Sequence, residues 1–520
     1  MNFASYGIIN AKKYPQKEFL IECRPSKNMR RVLTWEEFNE QTNRVANYLQ
    51  TKLGVQKGDF VMHLQMNSLE WVVTYHAILR VGAAVLPLNF RFASADIKYA
   101  CDAVHPKVFI MGDGFMPKVG PIQQEMESVK SYICIGENVP AGMISYKEVL
   151  ANSSPEDILM EMDDDDPAEL MFTSGTTGAP KPVCQAHKTL YNIAIGNALT
   201  FSEGHDTVYL ALHPFYHSGS FFYSFSPYLA GGKVVILLEL DPRSLWDTIY
   251  REKVNNGWVS VPTMSDSINA VKNGTVDISR YDFSHVTGSI ILGAQPVPAA
   301  LFEDMKKLVP FKTGNGYGLT EGGGGGTVNL YDDDILDRPG SIGKPTFNVE
   351  ARVVDEEGRD VSVGEVGELL LKSPRNMKEY FMNPEMTAKT IKDSWLYTGD
   401  LVRQDEDGYI YIADRKKDLI IRGGENIYPV EVEDALRRCP KIADVAVIGY
   451  PHERLVEIAM AIVQLHSGET MTEQEVIDFC REQGLARYKW PEKVVFAPVP
   501  RNPAGKIEKP KLRETYIGRK

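Results

Sequence analysis

Residues 171 to 182 read MFTSGTTGAPKP, and their types suit one kind of ligand. Thr173, Ser174, Thr176 and Thr177 bring four hydroxyls, Gly175 and Gly178 let backbone N–H groups come close, and Lys181 adds a point charge. Phosphate oxygens call for all three. The pattern is not the P-loop, which needs Gly-Lys-Ser/Thr running straight into a helix, whereas Lys181 lies between Pro180 and Pro182. A second stretch, GNGYGLTEG (314–322), pairs glycines that permit a tight approach (Gly316, Gly318) with the flat face of Tyr317 and the oxygens of Thr320 and Glu321. His213 and His217 stand four apart in HPFYHSG, but a zinc helix wants Glu beside the first histidine and Pro214 opposes a continuous helix, so the pair is read as non-metal.

The elements that must position these groups can be read in outline. Thr34 and Glu37 form a capping-box pattern before the periodic apolar positions Phe38, Val45 and Leu49, which predicts a helix. Strand-like FVMHL (60–64) and AAVLPL (83–88) flank another helical stretch, a βαβ unit of a largely parallel sheet whose ligands sit at strand C-terminal ends. Asp163 to Asp166 reads as a solvated connector into the strand leading to the hydroxyl-rich loop, and Asp332 to Asp334 reads the same way. Short β-rich pieces between Ser341 and Lys372 suggest a small antiparallel or barrel-like subdomain. After Arg415 the pattern restarts: strands at 443–450, 457–465 and 494–499, and a helix capped by Thr472 and Glu475, make a small α+β domain. The expected fold is therefore α/β, with a large N-terminal domain over 1–415 and a small mobile domain over 416–520.

At 520 residues, 43% hydrophobic and 24% charged, the composition is that of a globular protein. Net charge is 57 − 69 = −12, which argues against nucleic acid as partner. The apolar runs stop well short of a membrane span and the N-terminus has no apolar signal core, so a cytoplasmic protein is expected. Six scattered cysteines without CxxC favour reduced, buried thiols over zinc or disulfides.

The two motifs, with four more in order, resemble the AMP-forming adenylate-forming superfamily of acyl-CoA synthetases, luciferase and peptide-synthetase adenylation domains. The resemblance spans roughly residues 30 to 515. It implies that Tyr317 stacks on adenine, Thr320 meets the α-phosphate and Glu321 holds Mg²⁺. YTGD (397–400) and DRKKD (414–418) match the ribose clamp, Asp400 with Arg415, and Lys417 aligns with the hinge. ILGAQP (291–296) stands where the family lines its adenine and acyl pockets, through Gly293, Ala294 and Gln295. NPAGKIEK (502–509) places Lys506 as the catalytic lysine, His217 matches a gating histidine, and Gly424 of RGGENIYP belongs to the loop that lines the pantetheine tunnel after domain rotation. The implied activity is an AMP-forming acyl-CoA synthetase that takes ATP, Mg²⁺, coenzyme A and a small carboxylic acid, with a homo-oligomer left open.

Phe215, Tyr216, Phe221, Phe222 and Tyr223, facing Gly293, Ala294 and Gly322 to Gly324, suggest an acid with a benzene or cyclohexane ring or a medium chain. Carnitine-type acids are the alternative, through an aromatic cage. An amino-acid adenylation domain would need an acyl-pocket carboxylate that residues 214–225 lack. A luciferase-like oxygenase and a non-catalytic nucleotide-binding sensor are the remaining readings.

Overall fold

The structure is a computed structural model that describes residues 1–173, 181–293, 297–330, 332–423, 425–501 and 506–518. Contacts divide the chain into two compact units, the first formed by 1–339, 345–350 and 372–396, the second by 340–344, 351–371 and 397–520.

The first unit holds two sheets. One runs in the order Glu379–Tyr380, Lys181–Ala186, Pro167–Thr173, Ala84–Pro87, Phe60–Leu64, Val108–Gly112, Ser131–Ile135 and Ile144–Ser145. From Pro167–Thr173 onward its pairings are parallel, and the two strands before it run antiparallel. The expected βαβ unit is present: Phe60–Leu64 and Ala84–Pro87 pair in parallel across the helix Leu69–Arg80. The other sheet has a parallel centre of Lys312–Tyr317, Ser289–Gly293, Asn256–Ser260, Val208–Ala211, Lys233–Leu237 and Glu18–Arg24, with an antiparallel strand at each side. Between the sheets lies one apolar core, fed by Val61 and Val85 from one, Leu20 and Ile236 from the other, and Phe38, Trp71 and Leu190 from helices. The helix Trp35–Thr51 starts on the Thr34–Glu37 capping box, both reciprocal bonds of which are made.

The second unit has an open antiparallel sheet of Glu350–Val354, Val366–Lys372, Trp395–Gln404, Ile410–Arg415 and Ser341–Pro345; among the described residues it does not close into a barrel. A further sheet of Glu425–Ile427, Ile420–Arg422, Val456–Leu465, Ile442–His452 and Lys493–Phe496 packs with the helices Pro429–Arg437, Glu473–Glu482 and Lys509–Ile517. Thr472 and Glu475 cap the second of these as the sequence predicts.

Two expectations change. The acidic run is not merely solvated: Asp163 and Asp166 pair with Lys57 at 3.5 and 2.7 Å, Asp164 with the N-terminal ammonium at 2.9 Å, and Asp165 with Lys188. Asp332 to Asp334 open the helix Asp332–Asp337 and are not a connector. All six cysteines are free and buried, as expected. Among the described residues no helix is long and apolar enough to cross a membrane.

Candidate active site

In the first unit, the candidate residues collect at the C-terminal ends of adjacent strands, where sheets of this kind bind ligands. Ser289–Gly293 and Lys312–Tyr317 pair in parallel with Leu292 opposite Asn315, so Gly293 and the pair Gly316–Tyr317 end side by side. A Cβ on Gly293 would come 2.8 Å from Trp258 Nε1 and 3.2 Å from the Gly316 carbonyl, so the backbones meet at glycine distance. Ala294 and Gln295 lie outside the described residues.

The chain then makes a tight 3₁₀ turn, Thr320–Gly322, ended by Gly323 in the left-handed region at φ +71°. Neutral groups fix this turn from several sides. The buried Gln185 amide donates to the Thr320 carbonyl at 2.7 Å, and Ser218 Oγ lies 3.1 Å from Thr320 Oγ1. The Met377 N–H donates to the Glu321 carbonyl at 2.7 Å, and the Tyr380 hydroxyl donates to Glu321 Oε1 at 2.8 Å. Glu321 Oε2 has no partner among the described residues. Gly318, Gly323 and Gly324 are filled against backbone and side chains: a Cβ on Gly323 would stand 2.6 Å from the Arg375 carbonyl, and one on Gly324 3.1 Å from Phe222. Arg375 itself is buried and donates to Thr346 Oγ1 at 3.0 Å and to Asn197 Oδ1.

Thr173 and Lys181 face each other at the ends of the antiparallel strands Pro167–Thr173 and Lys181–Ala186, which fixes where the hydroxyl-rich loop leaves and returns. Lys181 opens a strand rather than a helix, as its flanking prolines require. Ser174, Gly175, Thr176, Thr177 and Gly178 lie outside the described residues.

The two histidines part company. His213 is buried, accepts from the Ser260 N–H at 2.9 Å, and burial pushes its pKa down to about 4, so it is a neutral core side chain. His217 is half-buried at the start of a short turn of helix, where Nδ1 accepts from the Gly219 N–H at 3.2 Å and the ring stacks toward Trp258. Among the described residues no three metal-ligating side chains cluster.

The aromatic run is packed more deeply than its composition suggested. Phe215, Phe221, Phe222 and Tyr223 belong to the core between the sheets; Phe221 meets Trp71 and Tyr75 edge-on at 4.5 and 4.6 Å. Tyr223 also presents its hydroxyl toward Gly316, 3.7 Å from where a Cβ would stand.

In the second unit, Asp400 and Arg415 stand opposite each other on antiparallel strands, and Arg415 Nε meets Asp400 Oδ1 at 2.5 Å. Asp400 is buried, while Arg415 is partly exposed. Immediately after, Arg415 to Leu419 forms a turn in which the N–H groups of Asp418 and Leu419 both donate to the Arg415 carbonyl, and Lys417 sits exposed in it. Gly424 lies outside the described residues; its neighbours Ile420–Arg422 and Glu425–Ile427 form a hairpin with Arg422 opposite Glu425. Lys506 is half-buried beside Ile507, which bridges to Arg501, and Arg501 is held by Asp444 at 2.6 and 2.8 Å. Downstream, Lys509 pairs with buried Glu433 at 2.8 Å and Arg513 with Asp418 at 2.6 Å, so the helix Lys509–Ile517 is tied to the turn that carries Lys417.

The chain belongs to the AMP-binding enzyme family, whose model matches residues 9–381, with the family's C-terminal domain matching residues 431–506. Within it the chain is an AMP-forming acid–thiol ligase of the adenylate-forming superfamily. It is 34% identical to the long-chain-fatty-acid–CoA ligase FadD13 of Mycobacterium tuberculosis over 496 residues, covering 95% of this chain and 94% of the relative. Its fold is similar to that of the anthranilate CoA ligase AuaEII in complex with anthranoyl-AMP, with TM-score 0.88, 26% identity and coverage of 99% and 97%. It is likewise similar to o-succinylbenzoate coenzyme A synthetase of Bacillus subtilis in complex with ATP and magnesium, with TM-score 0.85, 27% identity and coverage of 98% and 99%. ATP and CoA are the substrates that fit this family.

Proposed function

We propose that the chain activates a compact carboxylic acid, one with a benzene or cyclohexane ring or a medium chain, as its CoA thioester. The carboxylate oxygen attacks the α-phosphorus of ATP, the bond to the β-phosphate oxygen breaks, and pyrophosphate leaves with that electron pair. The CoA thiol then attacks the acyl carbon of the adenylate, AMP leaves, and the thiol proton passes to solvent.

In this reading the loop from Thr173 to Lys181, with Ser174 to Gly178, holds the triphosphate, and Gly293, Ala294, Gln295, Gly316, Tyr317 and Gly318 form the adenine site. Thr320 meets the α-phosphate, and Asp400 with Arg415 binds the ribose. Lys506 neutralises charge growing on the carboxylate and α-phosphate during attack. His217 separates the acid and thiol sites. Lys417 is the hinge between the 1–415 and 416–520 domains, about which Lys506 gives way to the loop bearing Gly424. Mg²⁺ fits Glu321, because the ion takes one or two protein carboxylates with phosphate oxygens and water, and Oε2 has no other partner among the described residues. When bound, the ion would neutralise phosphate charge.

The observation that carries the acid assignment is how the glycines are filled. Phe222 and the Arg375 backbone occupy the space at Gly324 and Gly323, while Trp258 and Tyr223 face Gly293 and Gly316, which favours a short aromatic-walled space over a long channel. A cytoplasmic location is supported by six buried free thiols. The test is an acid panel scored by CoA-dependent AMP formation. Benzoate, cyclohexane carboxylate and hexanoate should exceed acetate, palmitate and carnitine in kcat/KM; the reverse order would refute the compact-acid reading.

A further inference from the structure

Tyr380 joins two groups that the sequence places 140 residues apart, Lys181 and Glu321. Its strand, Glu379–Tyr380, lies antiparallel against Lys181–Ala186 with Tyr380 opposite Val183. The Phe381 N–H donates to the Pro182 carbonyl at 2.9 Å, and the Lys378 N–H to Cys184 at the same distance. The Tyr380 backbone is thus fixed beside the strand that begins at Lys181, and its own N–H is taken by Thr387 Oγ1 at 3.0 Å.

From that position the buried side chain reaches in both directions. The hydroxyl donates to Glu321 Oε1 at 2.8 Å, and Lys181 Nζ lies 5.9 Å from the ring centroid, within cation–π range. Three residues upstream, the Met377 N–H holds the Glu321 carbonyl, so the segment from 377 to 380 grips Glu321 at main chain and side chain together. A carboxylate held at one oxygen presents the other in a fixed direction. Partners of this kind, bonded to a ligand rather than to the metal, typically change metal affinity or activity 10- to 100-fold when removed.

We propose that Tyr380 is a positioning residue for the nucleotide's divalent cation: it orients Glu321 so that Oε2 faces the cation, and through its ring keeps Lys181 in register with that carboxylate. This rests on the reading of Glu321 as the metal carboxylate.

Binding of Mn²⁺ to the full chain, followed by electron paramagnetic resonance with a non-hydrolysable ATP analogue present, tests the pairing without turnover. Tyr380→Phe keeps the ring and removes only the hydroxyl, and Glu321→Gln reports on the underlying reading. Expected are Mn²⁺ binding weakened about tenfold in Tyr380→Phe, a larger loss in Glu321→Gln, and a thermal midpoint of Tyr380→Phe matching the unsubstituted chain. Wild-type Mn²⁺ affinity in Tyr380→Phe beside a loss in Glu321→Gln would overturn the role of Tyr380 alone. Wild-type affinity in both would overturn the metal reading of Glu321 and the inference with it.

Discussion

The Thr320–Gly322 turn of the first unit and the Lys506 segment of the second are held by different physics. Around Thr320 and Glu321 the anchors are hydrogen bonds with the uncharged groups of Gln185, Ser218, Met377 and Tyr380, of which only the Tyr380 bond ends on a carboxylate, with glycines packed to backbone distance. Around Lys506 and Lys417 they are ion pairs: Arg501 with Asp444, Lys509 with Glu433, Arg513 with Asp418. Steric contacts and bonds between uncharged groups depend little on salt, whereas buried or partly buried ion pairs hold only while both partners stay charged. On the proposed reading the first arrangement would suit a fixed nucleotide site, while the second ties the helix Lys509–Ile517 to the turn that carries Lys417.

The sharpest separation of the two regions should come from Lys417→Pro. Proline fixes φ near −65°, so a backbone that must change dihedrals there is frozen. The variant should form the adenylate yet transfer to CoA at least ~100-fold more slowly, the order of loss expected when a catalytic group is withheld. Normal overall turnover would place the hinge elsewhere.

Lys509→Met should be next, leaving Glu433 buried without its closest cation and destabilising the second unit by ~3–5 kcal/mol. Adding Glu433→Leu should recover much of that loss in thermal unfolding, which a purely steric role for Lys509 would not permit. In the first unit, Gly323→Ala meets a positive φ and the Arg375 carbonyl at 2.6 Å, at a cost of ~2–3 kcal/mol, with a midpoint insensitive to salt.

The smallest effect per pH unit is a slope set by Asp414 in the second unit. Burial raises the Asp414 carboxyl to about 6, with Lys509 and the Val430 and Arg415 N–H groups opposing it. Between the unfolded value of roughly 4 and about 6, the folded state keeps a proton that the unfolded chain has released. Stability therefore falls as pH rises through that window, by at most ~1.4 kcal/mol per pH unit, and levels off above it. Asp414→Asn should flatten the slope in pH-dependent thermal unfolding of the second unit; an unchanged slope would show that other groups carry it.

Local signals in the sequence carried much of this. The capping residues Thr34, Glu37, Thr472 and Glu475, the strands around Phe60–Leu64 and Ala84–Pro87, and the strand entry at Lys181 all depend on neighbours a few residues away. What escaped depends on partners far along the chain. Nothing near Tyr380 announces a bond to Glu321, nor anything near Gln185 a bond to Thr320, because those contacts exist only once the strands have paired. The acidic run Asp163 to Asp166 looked solvated for the same reason, since the N-terminus, Lys57 and Lys188 reach it through the fold. The aromatic run 215–223 is ambiguous for a different reason: its composition suits a pocket wall and a core equally, and Phe215 and Phe221 pack in the core.

The proposed division of the two half-reactions between different residues is tested most directly by Lys506→Ala assayed for each half separately. Acid-dependent ATP–pyrophosphate exchange should fall ~100-fold or more, while thioester formation from a supplied acyl-adenylate and CoA stays at the level of the unsubstituted chain. Equal loss in both halves would contradict the account.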